Sequence, residues 1–562
     1  MSVEGQTPAG AGTDRRRMTL VVAASATSTI FEWYDFFIFG SLTGIIGAHF
    51  FAGVSEAQGL IFALLTFAAG FAVRPFGALV FGRIGDSSGR KRAFLVTITI
   101  MGLATVAVGL LPDYHAIGIV SAYVLVSLRV LQGFAIGGQY GGAVIYVAEH
   151  ASARRRGAAT GWIQAAAPLG LALALTVILL CRTFLGEDAF KSWAWRLPFL
   201  FSAALLALSV YIRLRLSESP MFRRIQEAGT ASHAPIAESF LRWKNLRLVL
   251  IALFGLLMGQ GVVWYSAMFY TQFFLEGVIK APAAAVNLLI LPAVLAGALM
   301  HMVFAWLSDH VGRKPVMLFG LGLAAVGFFP GFQMLAQAVN PSLVAAAQRV
   351  PVTVIARPAD CSLQFDLLGK TKFLSSCDVA KNALASLGIP YRNVTAPAGS
   401  VALVQIGSSE AAQTPAITIP SPDGRGAAAS NFAETKKHFT ATLKRALVES
   451  GYPATATVQS IDVPRALALL LVFMAAAAAL YGPQAAALVE LFPTRIRYTA
   501  LSFPYHVGVG WFGGFLPVTA YAIVVATGNI YAGLWYPITI AAIGFVITLL
   551  FLPETRKRDI EA

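Results

Sequence analysis

The chain has 562 residues, of which 57% are hydrophobic and only 12% are charged. A soluble domain carries roughly a quarter of charged residues, so this composition excludes an ordinary soluble protein and indicates a polytopic membrane protein. The net charge of +15 does not indicate a nucleic-acid partner, because the basic residues recur in short clusters between apolar runs.

Twelve apolar segments are each long enough to cross the roughly 30 Å hydrocarbon core of a bilayer as a helix. Six precede a polar stretch and six follow it. In chain order they lie at 18–48, 57–82, 93–112, 117–148, 157–184 and 197–216, then at 248–275, 283–306, 314–337, 464–488, 498–526 and 532–552. The sequence therefore predicts an all-α polytopic membrane protein with 12 transmembrane helices in two pseudo-symmetric six-helix halves.

These segments divide the chain into a tail, two bundles, a central loop, an insert and a second tail. The predicted ranges are 1–17 for the N-terminal tail, 18–216 for the first bundle, 217–247 for the loop, 248–337 and 464–552 for the second bundle, 338–463 for the insert and 553–562 for the C-terminal tail. Basic clusters follow every second span, which predicts a multi-pass inner-membrane protein with both termini in the cytoplasm.

The insert is too polar and too rich in turn residues to be a membrane span. Its predicted strands lie at 350–358 and 401–407, its amphipathic helices at 375–388 and 432–450, and a loop at 420–430. We therefore expect a small α+β domain on the periplasmic side, whose partner the sequence does not identify. Cys361 and Cys377 would meet an oxidising compartment there, where they could form a disulfide or remain two unpaired core cysteines.

Three short motifs recur at equivalent places in the two halves. D-x-x-G-R-K begins at Asp86 and at Asp309, and E-x-x-x-x-R-x-R begins at Glu149 and at Glu490. Tyr140-Gly141 matches Tyr481-Gly482 upstream of the second motif, and the halves end in LSESP at 216–220 and LPETR at 552–556. Duplicated halves are typical of transporters whose substrate site lies near the membrane midplane, between the halves.

The two copies of D-x-x-G-R-K make the chain similar to the major facilitator superfamily. FEWYDFFIFG at 31–40, RVLQGFAIGGQYGGA at 129–143 and RYTALSFPY at 497–505 resemble its metabolite:proton symporter family in particular. That family includes carriers for citrate, α-ketoglutarate, shikimate, other dicarboxylates, and proline or betaine. The resemblance covers essentially all the chain except the insert. It implies transport driven by the proton gradient, without a cofactor.

Glu32 and Asp35 lie in the first apolar segment, where a charged group is expensive to bury and marks a candidate functional site. At 100° per residue they share a polar stripe of about 80° with three hydroxyl residues. Arg129 in the fourth span lies at a similar depth, and the resemblance implicates the arginine of its R-x-x-Q-G motif in proton coupling. We predict that these three residues handle the proton. The alternative is a static salt bridge that aligns helices.

Gln139 departs from the family pattern, because relatives often have GGE where this chain has Gly137-Gly138-Gln139. A neutral glutamine cannot titrate, so more of the coupling is expected to fall on the first span.

Candidate substrate contacts are polar and aromatic side chains within the predicted spans. Arg74 could bind an anion or pair with an acidic neighbour. Trp264 could hold a quaternary ammonium or simply pack, and His506 titrates near neutral pH but could equally be a packing residue. The full set is Arg74, Gln132, Gln139, Tyr140, Gln164, Gln260, Trp264, Tyr265 and His506.

The recurring charged motifs lie at helix ends on the cytoplasmic side. By resemblance they form ionic latches that close this side in the outward-open state, whereas the alternative is that their positive charges serve only topology. The predicted latches join Asp86 and Arg90 with Glu149 and Arg154, and Asp309 and Arg313 with Glu490 and Arg495.

The leading hypothesis is proton-coupled uptake of a small carboxylate-bearing metabolite by alternating access. The expected partners are the substrate, protons and the lipid bilayer. The sequence contains no P-loop, metal-ligand cluster or nucleophile–base constellation, so an enzyme is not expected. The alternatives are a zwitterion or betaine symporter, a facilitator or exchanger, and a transporter-like sensor that uses the outer domain.

Overall fold

The computed structural model describes residues 9–52, 56–215, 218–229, 232–362, 373–397, 400–407, 416–425, 431–558 and 560. Most of them are helical. The first half contains α1 (Ala9–Ser41), α2 (Thr43–Phe50), α3 (Glu56–Ser88), α4 (Arg90–Leu110), α5 (Tyr114–Ile117), α6 (Val120–His150), α7 (Arg156–Leu185), α8 (Glu187–Ala189) and α9 (Arg196–Arg215). Residues 1–8 of the predicted N-terminal tail lie outside the described residues, and α1 already begins within that tail.

Two short helices, α10 (Pro220–Glu227) and α11 (Pro235–Phe240), connect the halves. The second half contains α12 (Trp243–Ile251), α13 (Met258–Tyr265), α14 (Thr271–Phe273), α15 (Ala283–Val311), α16 (Arg313–Val339), α17 (Pro341–Arg349), α18 (Ser376–Ser386), α19 (Phe432–Glu449), α20 (Val463–Leu491), α21 (Arg497–Tyr505), α22 (Leu516–Thr527) and α23 (Trp535–Phe551). Wider π-helical turns join α12 to α14 into one long helix, and another, at His506–Gly513, follows α21.

Ten helices among the described residues are long and apolar enough to cross a membrane. α1 and α3, with 33 residues each, are not in that set, so the predicted count of twelve spans stays a prediction. Large apolar side chains such as Leu288, Leu299 and Val326 are 62–78% exposed on the outside of the bundle, as expected for a surface that faces lipid rather than water.

Glycines bring α3 and α6 into close contact. A Cβ atom at Gly133 would lie 2.1 Å from the carbonyl oxygen of Gly70, and one at Gly137 would lie 2.3 Å from that of Arg74. Small residues at such crossings let helix backbones approach without intervening side chains. The polar residues of α3 and α6 are therefore held side by side.

Between α16 and α20 the chain forms a four-stranded sheet with β1 (Val352–Ala356), β2 (Arg392–Thr395), β3 (Leu403–Ile406) and β4 (Ile417–Pro420). The strand order is β2-β1-β3-β4, with β1 parallel to β2 and the other pairs antiparallel. Strands β1 and β3 lie in the two segments predicted as strands, whereas β2 and β4 were not predicted. Residues 426–430 of the predicted loop lie outside the described residues.

Cys361 and Cys377 form a disulfide in this segment, with an S–S distance of 1.99 Å. Cys377 lies in the first turn of α18, which packs on the sheet. The bond therefore ties the chain that follows β1 to the start of the helix.

The sheet and its helices, which we call the sheet domain, dock on helix ends of the second half. The backbone N–H of Tyr391 donates to the carbonyl of Gly528 after α22, and that of Ala456 donates to Lys280 before α15, both at 2.9 Å. The N–H of Asp462 donates to the carbonyl of Ala338 at 2.8 Å. The chain thus leaves and re-enters the bundle at one place.

Candidate functional site

Asp35 of α1 is buried among hydroxyl groups of neighbouring helices, with 7% of its surface exposed. It accepts a hydrogen bond from the Ser202 hydroxyl of α9, with 2.5 Å between the oxygens, and interacts with Thr105 of α4. Hydroxyl donors leave the negative charge of a carboxylate in place, so a buried carboxylate also needs a positive partner.

Arg129 of α6 is connected to Asp35 through a short series of side chains. Its guanidinium lies 3.8 Å from the ring centroid of Phe39 and donates to the Gln132 amide oxygen at 2.7 Å. The Gln132 amide nitrogen donates to the Thr105 hydroxyl at 2.8 Å, and Thr105 lies beside Asp35. Asp35 and Arg129 also attract each other electrostatically. The structure therefore brings this predicted pair into one network.

Glu32 faces a different arginine from Arg129, with which we grouped it from the sequence. Its electrostatic partner is Arg213 of α9, and Asp35 on its own helix is the neighbouring acidic group. Glu32 and Arg213 are 7% and 2% exposed. Sequence reasoning missed Arg213, although an arginine within the sixth apolar segment was the available signal.

Arg74 of α3 lies where the two halves meet. Its guanidinium carbon is 4.1 Å from the ring centroid of Phe71 and 4.6 Å from that of Phe36. Its electrostatic partners include Tyr265 and Tyr505 of the second half. No carboxylate forms an ion pair with it in the part of the chain that the structure describes, so its positive charge faces the contact between the halves.

Aromatic rings of both halves meet around α13. The Trp264 ring centroid lies 5.8 Å from that of Trp33 on α1 and 6.2 Å from that of Tyr481 on α20. The ring centroid of Tyr265 lies 5.8 Å from that of Phe71 on α3. The predicted pair Trp264 and Tyr265 therefore lines the contact between the first and second halves.

A tyrosine cluster crosses the same contact. The rings of Tyr140 and Tyr505 stack with centroids 3.6 Å apart, and the hydroxyls of Tyr481 and Tyr505 are 3.0 Å apart. The Gln164 amide donates to the Tyr140 hydroxyl at 3.2 Å and to the Tyr481 carbonyl at 2.7 Å, and Gln484 donates to the Tyr140 hydroxyl at 3.4 Å. Tyr481, Tyr505 and Gln484 were missed as contacts, although the recurring Tyr-Gly pair already marked Tyr481.

Several buried polar atoms near this contact have no hydrogen-bond partner within the described ranges. They are Nε of Arg74, Nε2 of Gln139, Oε1 of Gln164, Oε1 of Gln260, Nε1 of Trp264, Oε1 of Gln484 and Nε2 of His506. Buried polar groups normally find partners. This set of donors and acceptors is therefore suited to a polar ligand between the halves.

The recurring acidic residues cap helices across the two halves. Asp86 accepts the backbone N–H groups of Tyr498 and Thr499 in the first turn of α21, at 3.1 and 2.9 Å. Asp309 accepts those of Gly157 and Ala158 in the first turn of α7, at 2.9 and 2.7 Å. A carboxylate at this position binds free N–H groups and the positive end of the helix dipole. An aspartate of each half thus caps a helix of the other half.

Each of these aspartates also pairs with the arginine of its own motif. Asp86 accepts from Arg90, and Asp309 accepts from Arg313, both at 2.6 Å. All four side chains are buried. Asp86 with Arg90 and Asp309 with Arg313 thus form two buried pairs at one end of the bundle, which we call the latch side.

The latch arginines of the second motif are Arg156 and Arg497, which corrects our prediction of Arg154 and Arg495. Arg156 pairs with Glu490 at 3.0 Å and Arg497 with Glu149 at 2.8 Å, so the two pairs cross between halves. Glu490 also binds Arg313 at 3.1 Å.

The two predicted arginines point away from the latch. Arg154 lies in the exposed turn at Ala153–Arg155, before α7 begins. Arg495 is 45% exposed and pairs with Glu238 of α11 at 3.2 Å. Both copies of the motif contain two arginines, and only the start of the following helix decides which one turns inward.

The third repeat completes the latch side. Glu218 accepts the N–H of Lys91, and Glu554 accepts those of Arg313 and Lys314, at 3.0 to 3.3 Å. The neighbouring hydroxyls donate to the recurring glutamates, Ser219 to Glu149 and Thr555 to Glu490. The sequence showed this repeat without revealing its role.

Comparison with known protein families agrees with this two-half architecture. The family model described as Major Facilitator Superfamily matches residues 20–354, which is more than half of the chain.

The chain belongs to the Major Facilitator Superfamily.

A second model, described as Sugar (and other) transporter, matches residues 448–562 of this superfamily member. Neither match includes residues 355–447, which hold most of the sheet domain. The chain is accordingly a transporter-family protein and not an enzyme.

Curated relatives belong to the same group of carriers. The glycine betaine/proline/ectoine/pipecolic acid transporter OusA of Dickeya dadantii (strain 3937) is 34% identical over 319 residues, 55% of this chain and 62% of the relative. The proline/betaine transporter of Escherichia coli (strain K12) is 30% identical over 334 residues, 57% of this chain and 66% of the relative. The match thus spans less than two thirds of these two relatives.

A further relative is matched over more of its length. The shikimate transporter of Escherichia coli (strain K12) is 33% identical over 319 residues, 55% of this chain and 71% of the relative. These relatives place the chain in the metabolite-carrier family of the superfamily that the sequence motifs resemble.

Solved structures share the fold. A double tryptophan mutant of XylE superposes with a TM-score of 0.64 at 14% identity, covering 97% of this chain and 98% of that one. The proton:xylose symporter XylE bound to 6-bromo-6-deoxy-D-glucose gives a TM-score of 0.61 at 14% identity, covering 98% of each chain. At this identity the likeness concerns the fold alone.

Proposed function

We propose that this superfamily member is a proton-coupled symporter that takes up a small carboxylate-bearing metabolite by alternating access. The observation that carries the proposal is the buried network from Asp35 through Thr105 and Gln132 to Arg129. Protonation of Asp35 removes the negative charge that attracts Arg129, and the arginine then holds a substrate anion. Deprotonation on the other side reverses the exchange.

The substrate class follows from two positive charges, that of Arg74 at the contact between the halves and that of Arg129 in the Asp35 network. Arg74 and Arg129 are both buried, and a buried cation favours an anionic ligand. The relatives are named for glycine betaine, proline and shikimate, each of which carries a carboxylate. A carboxylate is therefore the group that we assign to the arginines.

A zwitterion such as a betaine is the second candidate. Trp33 and Trp264 lie 5.8 Å apart with their ring planes at 40°, and Tyr481 is beside them. Faces of such rings attract quaternary ammonium groups. A betaine would place its carboxylate at Arg74 and its ammonium group among these rings.

We propose the predicted topology together with this function. α1 and α3 would complete twelve spans with the ten apolar helices, in an inner membrane with the latch side and both termini in the cytoplasm. The sheet domain would then be a periplasmic α+β insert, where a disulfide persists. The proton gradient would drive the cycle without a cofactor, and the crossed latches would open and close the cytoplasmic side.

Uptake into proteoliposomes under an imposed pH gradient tests the proposal, with labelled glycine betaine, proline and shikimate as probes. We expect accumulation of at least one probe when the outside is acidic. Asp35→Asn should abolish the accumulation, because its side chain cannot release a proton, whereas the exposed control Asp188→Asn should behave like the wild type. Transport that ignores the gradient would indicate a facilitator or exchanger, and binding without transport would indicate a sensor.

A further inference from the structure

A small cavity of about 10 Å³, room for roughly one water molecule, lies beside Asp35 and Glu32, between α1, α4 and α9. Its other walls include Met101 and Gly102 of α4 and Ser209 of α9. Glu32 precedes Asp35 by three residues, or about 4.5 Å along α1 toward the latch side. The cavity therefore extends from the Asp35 network toward the latches, and it does so within the first half alone.

Glu32 and Ser209 both have a buried oxygen without a hydrogen-bond partner in the described part of the chain. Although most of the cavity lining is apolar, Glu32, Asp35 and Ser209 border it together, and an ordered water there can make the missing hydrogen bonds. Water at this position would connect the two carboxyl groups of α1 with the Ser209 hydroxyl.

Arg213 lies one turn beyond Ser209 on α9. Its guanidinium carbon is 3.1 Å from the ring centroid of Phe94, and its charge attracts Glu32. Its Nε and one terminal nitrogen have no hydrogen-bond partner among the described residues, although a buried guanidinium normally uses its donors.

A second cavity of about 10 Å³ lies between Arg213 and the latch side. Arg90 and Lys91 at the start of α4, and Tyr146 of α6, line it together with Arg213. Tyr498 of α21 also interacts electrostatically with Glu32 and with Arg213. A series of polar groups therefore leads from Asp35 to the latch side. This series is separate from the aromatic contact between the halves.

We propose that protons leave Asp35 toward the latch side along this route, through Glu32, with Arg213 as the counter-charge of ionised Glu32. The inference rests on the proposed symport. The proton on the carboxyl group of Asp35 passes through water to a carboxylate oxygen of Glu32, and Asp35 becomes the carboxylate. Glu32 then gives the proton to water on its Arg213 side, from which it reaches the second cavity, where Arg213 is a lining residue. The Arg213 guanidinium keeps its own protons and stabilises the carboxylate that remains on Glu32.

This route separates the proton from the substrate. The substrate would occupy the contact between the two halves, whereas the proton would cross inside the first half. Arg213 is therefore a positioning residue for the proton and does not touch the substrate.

A substrate-free labelling experiment tests the role of Arg213. N,N′-dicyclohexylcarbodiimide reacts with protonated carboxyl groups in apolar surroundings, and mass spectrometry measures the labelled fraction of Glu32. In the full-length protein, at an alkaline pH at which wild-type Glu32 is only weakly labelled, Arg213→Gln should increase labelling by up to about tenfold, because Glu32 loses its counter-charge. Arg213→Lys, which keeps the charge, should restore low labelling. Arg92→Gln, which changes an exposed arginine in the first turn of α4, should leave the labelling unchanged. Equal labelling in all four proteins would overturn the inference.

Transport measurements separate the inference from the proposed function. Arg213→Gln should lose accumulation of the labelled probe under a pH gradient but keep exchange of labelled for unlabelled probe. Ser209→Val, which fills the first cavity, should slow accumulation in the same selective way if Arg213→Gln does not fold. A wild type that ignores the gradient contradicts the symport itself. A wild type that couples, with both variants coupling equally well, contradicts only the proton route.

Discussion

Arg154 and Arg156 are two residues apart, yet only Arg156 carries part of the contact between halves. Arg156 is the first residue of α7, and its side chain turns back to Glu490 in a buried pair. Arg154 precedes the helix and stays exposed. An exposed ion is worth little to stability, whereas a buried one that loses its partner leaves an uncompensated charge. The same contrast separates Arg497 from Arg495.

We predict that Arg156→Gln and Arg497→Gln destabilise the protein, by up to about 3–5 kcal/mol for loss of one partner of a buried pair. Arg156→Gln should fall at the lower end, because Glu490 retains Arg313. Arg154→Gln and Arg495→Gln should stay within about 0.5 kcal/mol of the wild type, as surface substitutions do. Thermal unfolding of the purified protein in detergent measures the difference. If Arg156→Gln melted at the same temperature as Arg154→Gln, and Arg497→Gln at the same temperature as Arg495→Gln, the buried ion pairs between the halves would not stabilise the latch.

At the scale of elements, the sheet domain rests on the bundle through two glycines. Gly388 has φ = +72°, and a Cβ atom there would lie 1.9 Å from the carbonyl oxygen of Val278. Gly528 has φ = +77°, and its Cβ atom would lie 2.2 Å from the carbonyl oxygen of Tyr391. Both positions require a backbone conformation that other residues rarely adopt, and both require the absence of a side chain. The contact between the sheet domain and the bundle therefore tolerates side chains at Gly388 and Gly528 poorly.

Gly388→Ala should loosen this contact, whereas Gly451→Ala provides a control. Both glycines have positive φ, but a Cβ atom at Gly451 meets nothing within 4 Å. The control thus carries the backbone strain without the clash. Hydrogen–deuterium exchange should rise at 524–529 and 388–395 in Gly388→Ala only. An equal rise in both variants would indicate that strain alone determines the effect.

The reciprocal caps are a second feature of elements. Asp309→Ala removes the acceptor for two N–H groups of α7, and such a loss costs about 0.5–2 kcal/mol. The loss of the ion pair with Arg313 adds to it. We expect a lower melting temperature and faster modification of cysteines introduced on the latch side. Asp113→Ala, which removes a cap within the first half, is the control and should not change that accessibility.

At the scale of the whole molecule, the sheet domain is an insertion between α16 and α20. Its two ends meet at Ala338 and Asp462, so a short linker can replace the chain between them without pulling helices apart. The domain lies on the side opposite the latches, since it contacts the distal ends of helices that begin near them.

We predict that replacing residues 345–455 by a short glycine–serine linker preserves folding and proton-driven uptake. The measurement is the same proteoliposome assay, together with size-exclusion chromatography of the purified variant. Preserved uptake would make the domain accessory. A folded variant that binds a probe but does not transport it would contradict this prediction and favour a role for the domain in the cycle.

The parts that the sequence predicted well depend on local patterns. Helix positions followed from apolar length, and the recurring motifs located Asp86, Asp309, Glu149 and Glu490 at one end. The choice between Arg154 and Arg156 depended on where α7 begins, which a one-residue boundary decides. The relation between Glu32 and Arg213 depended on which face of α9 turns toward α1. Such packing between distant segments is not encoded in any single segment.

The reciprocal caps and crossed arginines have a consequence for assembly. Asp86 caps α21 and Asp309 caps α7. Glu149 and Glu490 each form an ion pair with an arginine of the other half. In a symmetric homodimer, each subunit likewise gives the contact that it receives. A six-helix unit with one copy of each motif would contain both sides of this interface, and could complete its own latch by pairing with a second copy of itself.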